Sequence, residues 1–257
     1  MIPNVVKKVF YRFYLFQPGL RIWHWVQFLA ITTLFVTGLY IGNPFFIGSI
    51  LEPTEAYGRA LNMDIIRMIH FAAGYILLFA FLYRLFLMFT KKSHFWLLIP
   101  KFWRGWFWKG LFEVILFYLL IKKEHIPLIR NPLARTAYLL VLGLILFEIW
   151  TGFAMYGLSD PEGFWAKAVS SWTLPLFGGN EYTLHFWHHV VAWIIALFVI
   201  VHVYMVFFND FIAKEGELSS MSAGVKYFPE GHLPADCDDV ASKEECEKLK
   251  SELKAQS

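Results

Sequence analysis

An all-α membrane protein, built as a bundle of four transmembrane helices, is the fold class this sequence predicts, and three observations predict it. Of its 257 residues, 58% are hydrophobic and 19% aromatic, and the mean hydropathy is +0.50, far from the balance of a soluble domain. Four apolar runs each approach the ~20 residues that a helix needs to cross hydrocarbon. The basic residues crowd into one connecting segment, which is how orientation in a bilayer is encoded. A net charge of only +3, distributed in that way, speaks for a membrane and against nucleic acid.

In chain order, residues 1 to 20 hold Lys7, Lys8 and Arg12 among aromatics and read as a basic lead-in lying at the membrane interface. The first span runs from about Ile22 to Ile41 and lacks a small-residue cleavage site before the next polar loop. It is therefore expected to stay in the mature protein and not to act as a cleaved signal. The second span runs from about Ile65 to Met88, the third from Leu133 to Tyr156 and the fourth from Leu184 to Phe208.

Between the second and third spans, or at the ends of those spans that face this segment, lie Arg84, Lys91, Lys92, Lys101, Arg104, Lys109, Lys122, Lys123, Arg130 and Arg135, whereas loops 42 to 64 and 157 to 183 carry only Arg59 and Lys167. The positive-inside rule then puts the long segment and both termini on the cytoplasmic side. Trp103 to Ile121 is nearly long enough to cross. However, Arg104, Lys109 and Glu113 interrupt it, and a crossing would export Lys122, Lys123, Arg130 and Arg135. It reads as an amphipathic helix on the cytoplasmic surface.

This topology sorts the intramembrane histidines by depth. His24 starts an outward span and so lies at the cytoplasmic end, and His70 starts an inward span and so lies at the outer end. The fourth span carries His188 near its outer end and His202 near its cytoplasmic end. Those two are fourteen residues apart, which at about 100° and 1.5 Å per residue returns to nearly the same face some 21 Å along the axis. Ionisable groups in hydrocarbon cost roughly 2.5 to 3.5 kcal/mol or more and mark function. The four histidines form two pairs, His70 with His188 and His24 with His202. Two imidazoles facing each other at one depth, from different helices of a bundle, are what a six-coordinate haem iron requires. Two b-type haems, one toward each side of the membrane, are the expectation.

Several glycines suit that geometry. Gly38 is fourteen residues after His24, Gly74 one turn after His70, and Gly143 and Gly152 open gaps on the third span, where a missing side chain lets a flat macrocycle approach. Arg84, fourteen residues after His70, is placed either to meet a haem propionate or to anchor the span by snorkelling.

Alternative readings use the same residues. A single histidine in an apolar helix is more often a packing residue, so the matched depths are what favour haem over a proton relay or polar helix contacts. His185, His188 and His189 have the spacing for an outer Zn or Cu site, but that leaves His24, His70 and His202 unexplained. His94, His125 and His232 fall in polar or interfacial segments and are expected to be solvated. Residues 1 to 210 are read as one transmembrane domain and 211 to 257 as a polar cytoplasmic tail, with a short helix that Ser242 and Glu245 would box. The tail's Cys237 and Cys246 lie where thiols stay reduced, and their spacing matches none of the usual zinc pairs. With no C-x-x-C-H motif, haem would be held non-covalently. There is no phosphate loop, no dinucleotide glycine motif and no nucleophile with an attendant base, so electron carriage is expected and bond chemistry is not.

Through RIWHW at 21 to 25, IRMIHFAAGY at 66 to 75, NPLARTA at 131 to 137, TGFAMY at 151 to 156, HFWHH at 185 to 189 and HVYM at 202 to 205, the chain resembles the cytochrome b subunit of membrane-bound nickel-iron uptake hydrogenases. The resemblance covers roughly residues 18 to 226, and the gamma subunits of formate dehydrogenases share the broader family. It implies haem ligation by His24, His70, His188 and His202, agreeing with the depth argument. It also implies a hydrogenase small subunit docked on the outer loops, whose iron-sulfur cluster would feed electrons to the His70 and His188 side. Reduction of a quinone near His24, Arg84 and His202 would follow, in the inner membrane of the cell. Loop residues Phe45, Phe46, Trp165, Trp172 and the Gly178-Gly179-Asn180 turn would form the docking surface. A formate dehydrogenase or other respiratory partner is the nearer alternative, and a transporter or structural anchor with a histidine relay the farther one.

Overall fold

The computed structural model describes residues 10–14, 16–42, 63–90, 92–122, 131–213, 216–229, 247 and 251. Expectations placed on Phe45, Phe46, Arg59, His125, His232, Cys237, Cys246 and the Ser242 capping box lie outside these residues. In chain order the elements are β1 (Phe10–Tyr14), α1 (Pro18–Gly42), α2 (Met63–Thr90), α3 (Lys92–Leu98), α4 (Gly105–Tyr118), α5 (Pro132–Leu158), a π-helical turn (Ala166–Ser170), α6 (Ser171–Leu176) and α7 (Glu181–Phe208). A second π-helical turn (Asn209–Ala213), α8 (Glu217–Ala223) and β2 (Val225–Pro229) complete the described chain. Among the described residues, four helices are long and apolar enough to cross a membrane, and they are those that begin at Pro18, Met63, Pro132 and Glu181. The protein is a predominantly helical, multi-pass membrane bundle, as the hydropathy pattern requires.

The ends of these helices follow from local chemistry. Asn131 caps α5, its Oδ1 accepting from the Leu133 and Ala134 N–H groups at 2.9 and 3.3 Å, and Pro132 takes the first helical position where no donor is missed. Asn180 caps α7 in the same way, accepting from the Tyr182 N–H at 2.8 Å. Before it, Gly178 and Gly179 adopt φ of 71° and 69°, a left-handed path that glycine takes without steric cost.

The chain forms two compact units, one of Ile22–Leu85 with Leu142–Ile200, the other of Met1–Arg21, Phe86–Val141 and Val201–Ser257. The first unit, called here the cavity unit, packs stretches of α1, α2, α5 and α7 through Ala30, Ala73, Leu77, Ile145, Phe153, Leu184 and Val191, all buried. Its outward faces are equally apolar, with Leu29, Phe79, Leu146 and Leu197 exposed, as expected of helices solvated by lipid. The connection from α5 to α7 is pinned down by aromatic side chains. Trp165 stacks on Phe153 at 4.1 Å and donates to the Tyr75 hydroxyl at 2.8 Å, while Trp172 stacks on Trp150 at 5.5 Å. Ser170 Oγ donates to the Ala154 carbonyl at 2.7 Å.

The second, or terminal, unit contains a feature the sequence reading did not anticipate. β1 and β2 pair antiparallel, Phe10 opposite Pro229 and Tyr14 opposite Val225, so residues 10–14 of the lead-in form a strand joined to residues 225–229. The Phe16 N–H donates to the Gly224 carbonyl at 3.2 Å, and Arg21 Nη1 donates to the Ser222 carbonyl. Arg135, counted above among the orienting loop charges, is buried at 1% exposure. Its guanidinium donates to the carbonyls of Trp96 and Ile99, the latter at 3.0 Å, closing the C-terminus of α3. Tyr118, Asn131 and Asn209 join the ends of α4, α5 and α7, since both amide groups donate to the Tyr118 hydroxyl, at 3.0 and 2.9 Å.

The Trp103 to Ile121 stretch resolves as α4, a helix of 14 residues, well short of a crossing. Its buried residues Phe107, Gly110, Val114 and Phe117 recur at three- and four-residue steps and form one stripe, while Trp108 and Phe112 are exposed beside Lys109, so the outer face is more apolar than the expected amphipathic helix. His94 corrects the expectation of a solvated side chain, since it is 3% exposed. The reason is periodicity on α3, where His94 and the equally buried Leu98 are one turn apart and share the inward face.

Candidate functional site

The cavity unit encloses a cavity of about 660 Å³, within the ~300 to 1,000 Å³ typical of small-molecule and cofactor sites. All four long helices line it, α1 with Gly38, α2 with His70 and Gly74, α5 with Glu148, Gly152 and Tyr156, and α7 with His188 and Ala192. The rest of the wall is mostly apolar, including Leu34, Phe35, Leu77, Ile149 and Ile195. Arg67, His185, His189 and Ser159 add polar groups.

His70 and His188 are both in this wall, so the two sequence-predicted residues come to one chamber from different helices. Gly38 and Gly152 stand against them. A Cβ on Gly38 would lie 3.3 Å from Cε1 of His70, and one on Gly152 would lie 3.5 Å from Cε1 of His188. A Cβ on Gly74 would meet nothing within 4 Å although Gly74 lines the cavity, and the same holds at Gly143, which does not line it. The expectation of a glycine-opened wall therefore applies to Gly38, Gly74 and Gly152.

Each imidazole is tied down through Nδ1. Thr37 Oγ1 lies 2.8 Å from His70 Nδ1, and Thr151 Oγ1 lies 2.8 Å from His188 Nδ1. Glu148 Oε2 is 3.1 Å from the same His188 nitrogen, and Glu148 Oε1 has no hydrogen-bond partner among the described residues. The sequence reading missed Glu148, Thr37 and Thr151. A carboxylate inside the apolar third span is itself a functional signal, and a Thr-Gly pair recurs at 37–38 and 151–152 in two apolar helices.

The other predicted residues lie elsewhere. His24 belongs to the cavity unit but not to the cavity wall, and its ring meets Trp25 edge-on at 5.3 Å. His202 belongs to the terminal unit, where its ring meets Tyr138 edge-on at 6.2 Å. Arg84 is 3% exposed and lies over Trp23 at 5.6 Å from the ring centroid. It is thus held inside the protein and does not snorkel outward. Trp23 is itself fixed by donating to the Ala80 carbonyl at 2.8 Å. His189 Nδ1–H donates to the His185 carbonyl at 3.1 Å. Among the described residues, no three His, Cys, Asp or Glu side chains cluster to hold a metal ion by themselves.

A planar, largely apolar macrocycle with an iron centre fits the residues present. Two imidazoles share one chamber, glycines leave room beside them, and the rest of the wall is mostly apolar. Fold and site together define a class, the helical-bundle membrane cytochromes of b type. Within that class the chain belongs to the prokaryotic cytochrome b561 family, which it matches over residues 15–224. Among its relatives is the probable Ni/Fe-hydrogenase B-type cytochrome subunit of Azotobacter chroococcum mcd 1, 36% identical over 84% of this chain and 88% of the relative. The subunit of the same name from Cupriavidus necator is 35% identical over 84% and 87%. The probable Ni/Fe-hydrogenase 1 B-type cytochrome subunit of Escherichia coli K12 is 33% identical over 83% and 90%.

Proposed function

We propose that this chain is the membrane subunit that takes electrons from the small subunit of a nickel-iron hydrogenase and delivers them to the quinone pool. In this reading His70 and His188 would hold the iron of one b-type haem. A second haem would be held by His24 and His202, a pairing that rests on the depth argument from the sequence. The single observation that carries the reading is the convergence of His70 and His188 on one apolar, glycine-walled cavity inside a four-helix unit. Haem held there supplies a reversible one-electron carrier.

The protein's own contribution is placement. Thr37 and Thr151 engage the Nδ1 atoms, the cavity wall is mostly apolar, and Arg84 keeps a guanidinium buried beside Trp23. The names of the relatives point to the hydrogenase as partner. The docking face is assigned to the segment between α5 and α7 and the first turn of α7, which present Phe164, Trp172, Leu176 and Tyr182 as exposed side chains on a backbone braced by Trp165 and Ser170. With both termini assigned to the cytoplasm of a cell with an inner membrane, that face lies outside.

The test is haem quantitation with redox difference spectra on protein purified from membranes, combined with identification of what co-purifies. Two b haems per chain and a nickel-iron enzyme are expected. A dithionite-reduced sample without a low-spin b-type band would end the reading, and co-purification with a molybdenum enzyme instead would reassign the partner.

A further inference from the structure

Thr37 and Thr151 occupy matching places in two helical hairpins. Each sits near the end of the first helix of its hairpin, α1 or α5, is followed directly by a cavity-lining glycine, and meets a histidine near the start of the hairpin's second helix, His70 on α2 or His188 on α7. Both threonines are buried, at 7% and 0% exposure. Each hydroxyl also contacts the carbonyl four residues back, Thr33 O at 2.6 Å and Phe147 O at 2.8 Å.

A hydroxyl has a single proton, and a carbonyl can only accept. The proton therefore goes to the carbonyl, and in the 2.8 Å contact the imidazole Nδ1–H must donate to the threonine oxygen. Both rings are thereby fixed in the Nδ1–H tautomer, with the Nε2 lone pair left for an iron ion. We infer that Thr37 and Thr151 are positioning residues of the haem site, a matched pair that sets the tautomer, ring plane and basicity of the two axial imidazoles. The inference rests on the assignment of His70 and His188 as ligands made above.

Each ring also has a second partner. His188 Nδ1 has the Glu148 carboxylate at 3.1 Å, and His70 hydrogen-bonds the Leu34 backbone, so the threonine hydroxyl is one of two contacts at each ring. An acceptor on Nδ1–H makes the imidazole a stronger donor and favours the ferric ion, so its loss raises the midpoint potential.

The experiment uses the full chain, with Thr37→Val and Thr151→Val as near-isosteric removals of the hydroxyl and Thr37→Ser and Thr151→Ser as variants that keep it. Haem transfer to an excess of an apo haem-binding acceptor, the g-values of the low-spin ferric signal and the midpoint potential are measured. The valine variants are expected to hold haem about 10- to 100-fold less tightly and to shift the signal. A tenfold change in the ferric-to-ferrous binding ratio corresponds to about 59 mV upward for one electron. The serine variants are expected to restore all three readouts.

Valine variants that match the wild type, or serine variants that behave like valine, would overturn the inference. If a valine variant is not recovered with native helicity, Thr→Ala replaces it, and an alanine and serine pair that cannot be told apart overturns the inference equally. His70→Ala and His188→Ala run alongside. If these keep the wild-type haem, the ligand assignment has failed. If they lose it while every threonine variant is silent, only the positioning role has failed.

Discussion

Replacing Gly74 by leucine puts bulk into the cavity. An ideal Cβ at this position meets no atom within 4 Å, although Gly74 lines the chamber of about 660 Å³. The first carbon of the new side chain therefore enters open space, and the haem-free chain should keep its helicity and melting behaviour. With a macrocycle in the chamber the added carbons become overpacking, which costs about 1 to 3 kcal/mol. At 1.4 kcal/mol per factor of ten, that weakens haem binding about 5- to 150-fold. Gly143→Leu is the control, because a Cβ there is equally unobstructed but does not line the cavity. The assay is the haem-to-protein ratio after titration with haem, read beside helicity for both variants. If Gly74→Leu binds haem as tightly as the wild type, this chamber is not where the cofactor sits.

Other substitutions probe separate parts of the argument. His70→Ala or His188→Ala should remove the haem of that pair and block electron entry, while hydrogen oxidation with artificial dyes in the purified complex continues. His24→Ala or His202→Ala should remove the other haem and stop quinone reduction, and loss of the His70 and His188 haem instead would contradict the pairing. Gly157→Ala should lower the melting temperature despite alanine's better helix propensity. Its Cβ would stand 2.6 Å from the Ala166 backbone nitrogen and closer still to Ser170 Oγ, so the α5 to α7 connection must shift, at about 1 to 3 kcal/mol. An unchanged or raised melting point would show that the connection yields easily. Asn131→Ala should cost about 1 kcal/mol through the lost α5 cap, and more if its bond to Tyr118 at 3.0 Å also counts. Thermal melts of the single and Tyr118→Phe double variants measure both.

The spans were legible because hydrocarbon permits only helices that satisfy their own backbone, and length with apolarity then suffices. α4 was legible because three charged side chains interrupt its apolar run, which made a crossing too costly. His94 was misjudged for the opposite reason. Its neighbours in sequence are polar, but burial is decided by the one-turn periodicity it shares with Leu98. The β1 and β2 ribbon was invisible because it joins residues more than two hundred positions apart, and five-residue strands carry little pattern of their own. Arg135 looked like one more orienting charge until the fold brought the end of α3 to it.

The amino-acid sequence by itself determined that this is a membrane bundle, which helices cross, which histidines they carry, and which glycines could open a wall beside them. Those are properties of composition and helical period, and they need no knowledge of neighbours. Only the tertiary structure decided that His70 and His188 share one chamber, that Thr37 and Thr151 hold their Nδ1 atoms, and that Glu148 reaches one ring. Helical period says which side chains lie on one face of a helix. Which face of a neighbouring helix it meets, and at what distance, is settled by packing between segments far apart in sequence.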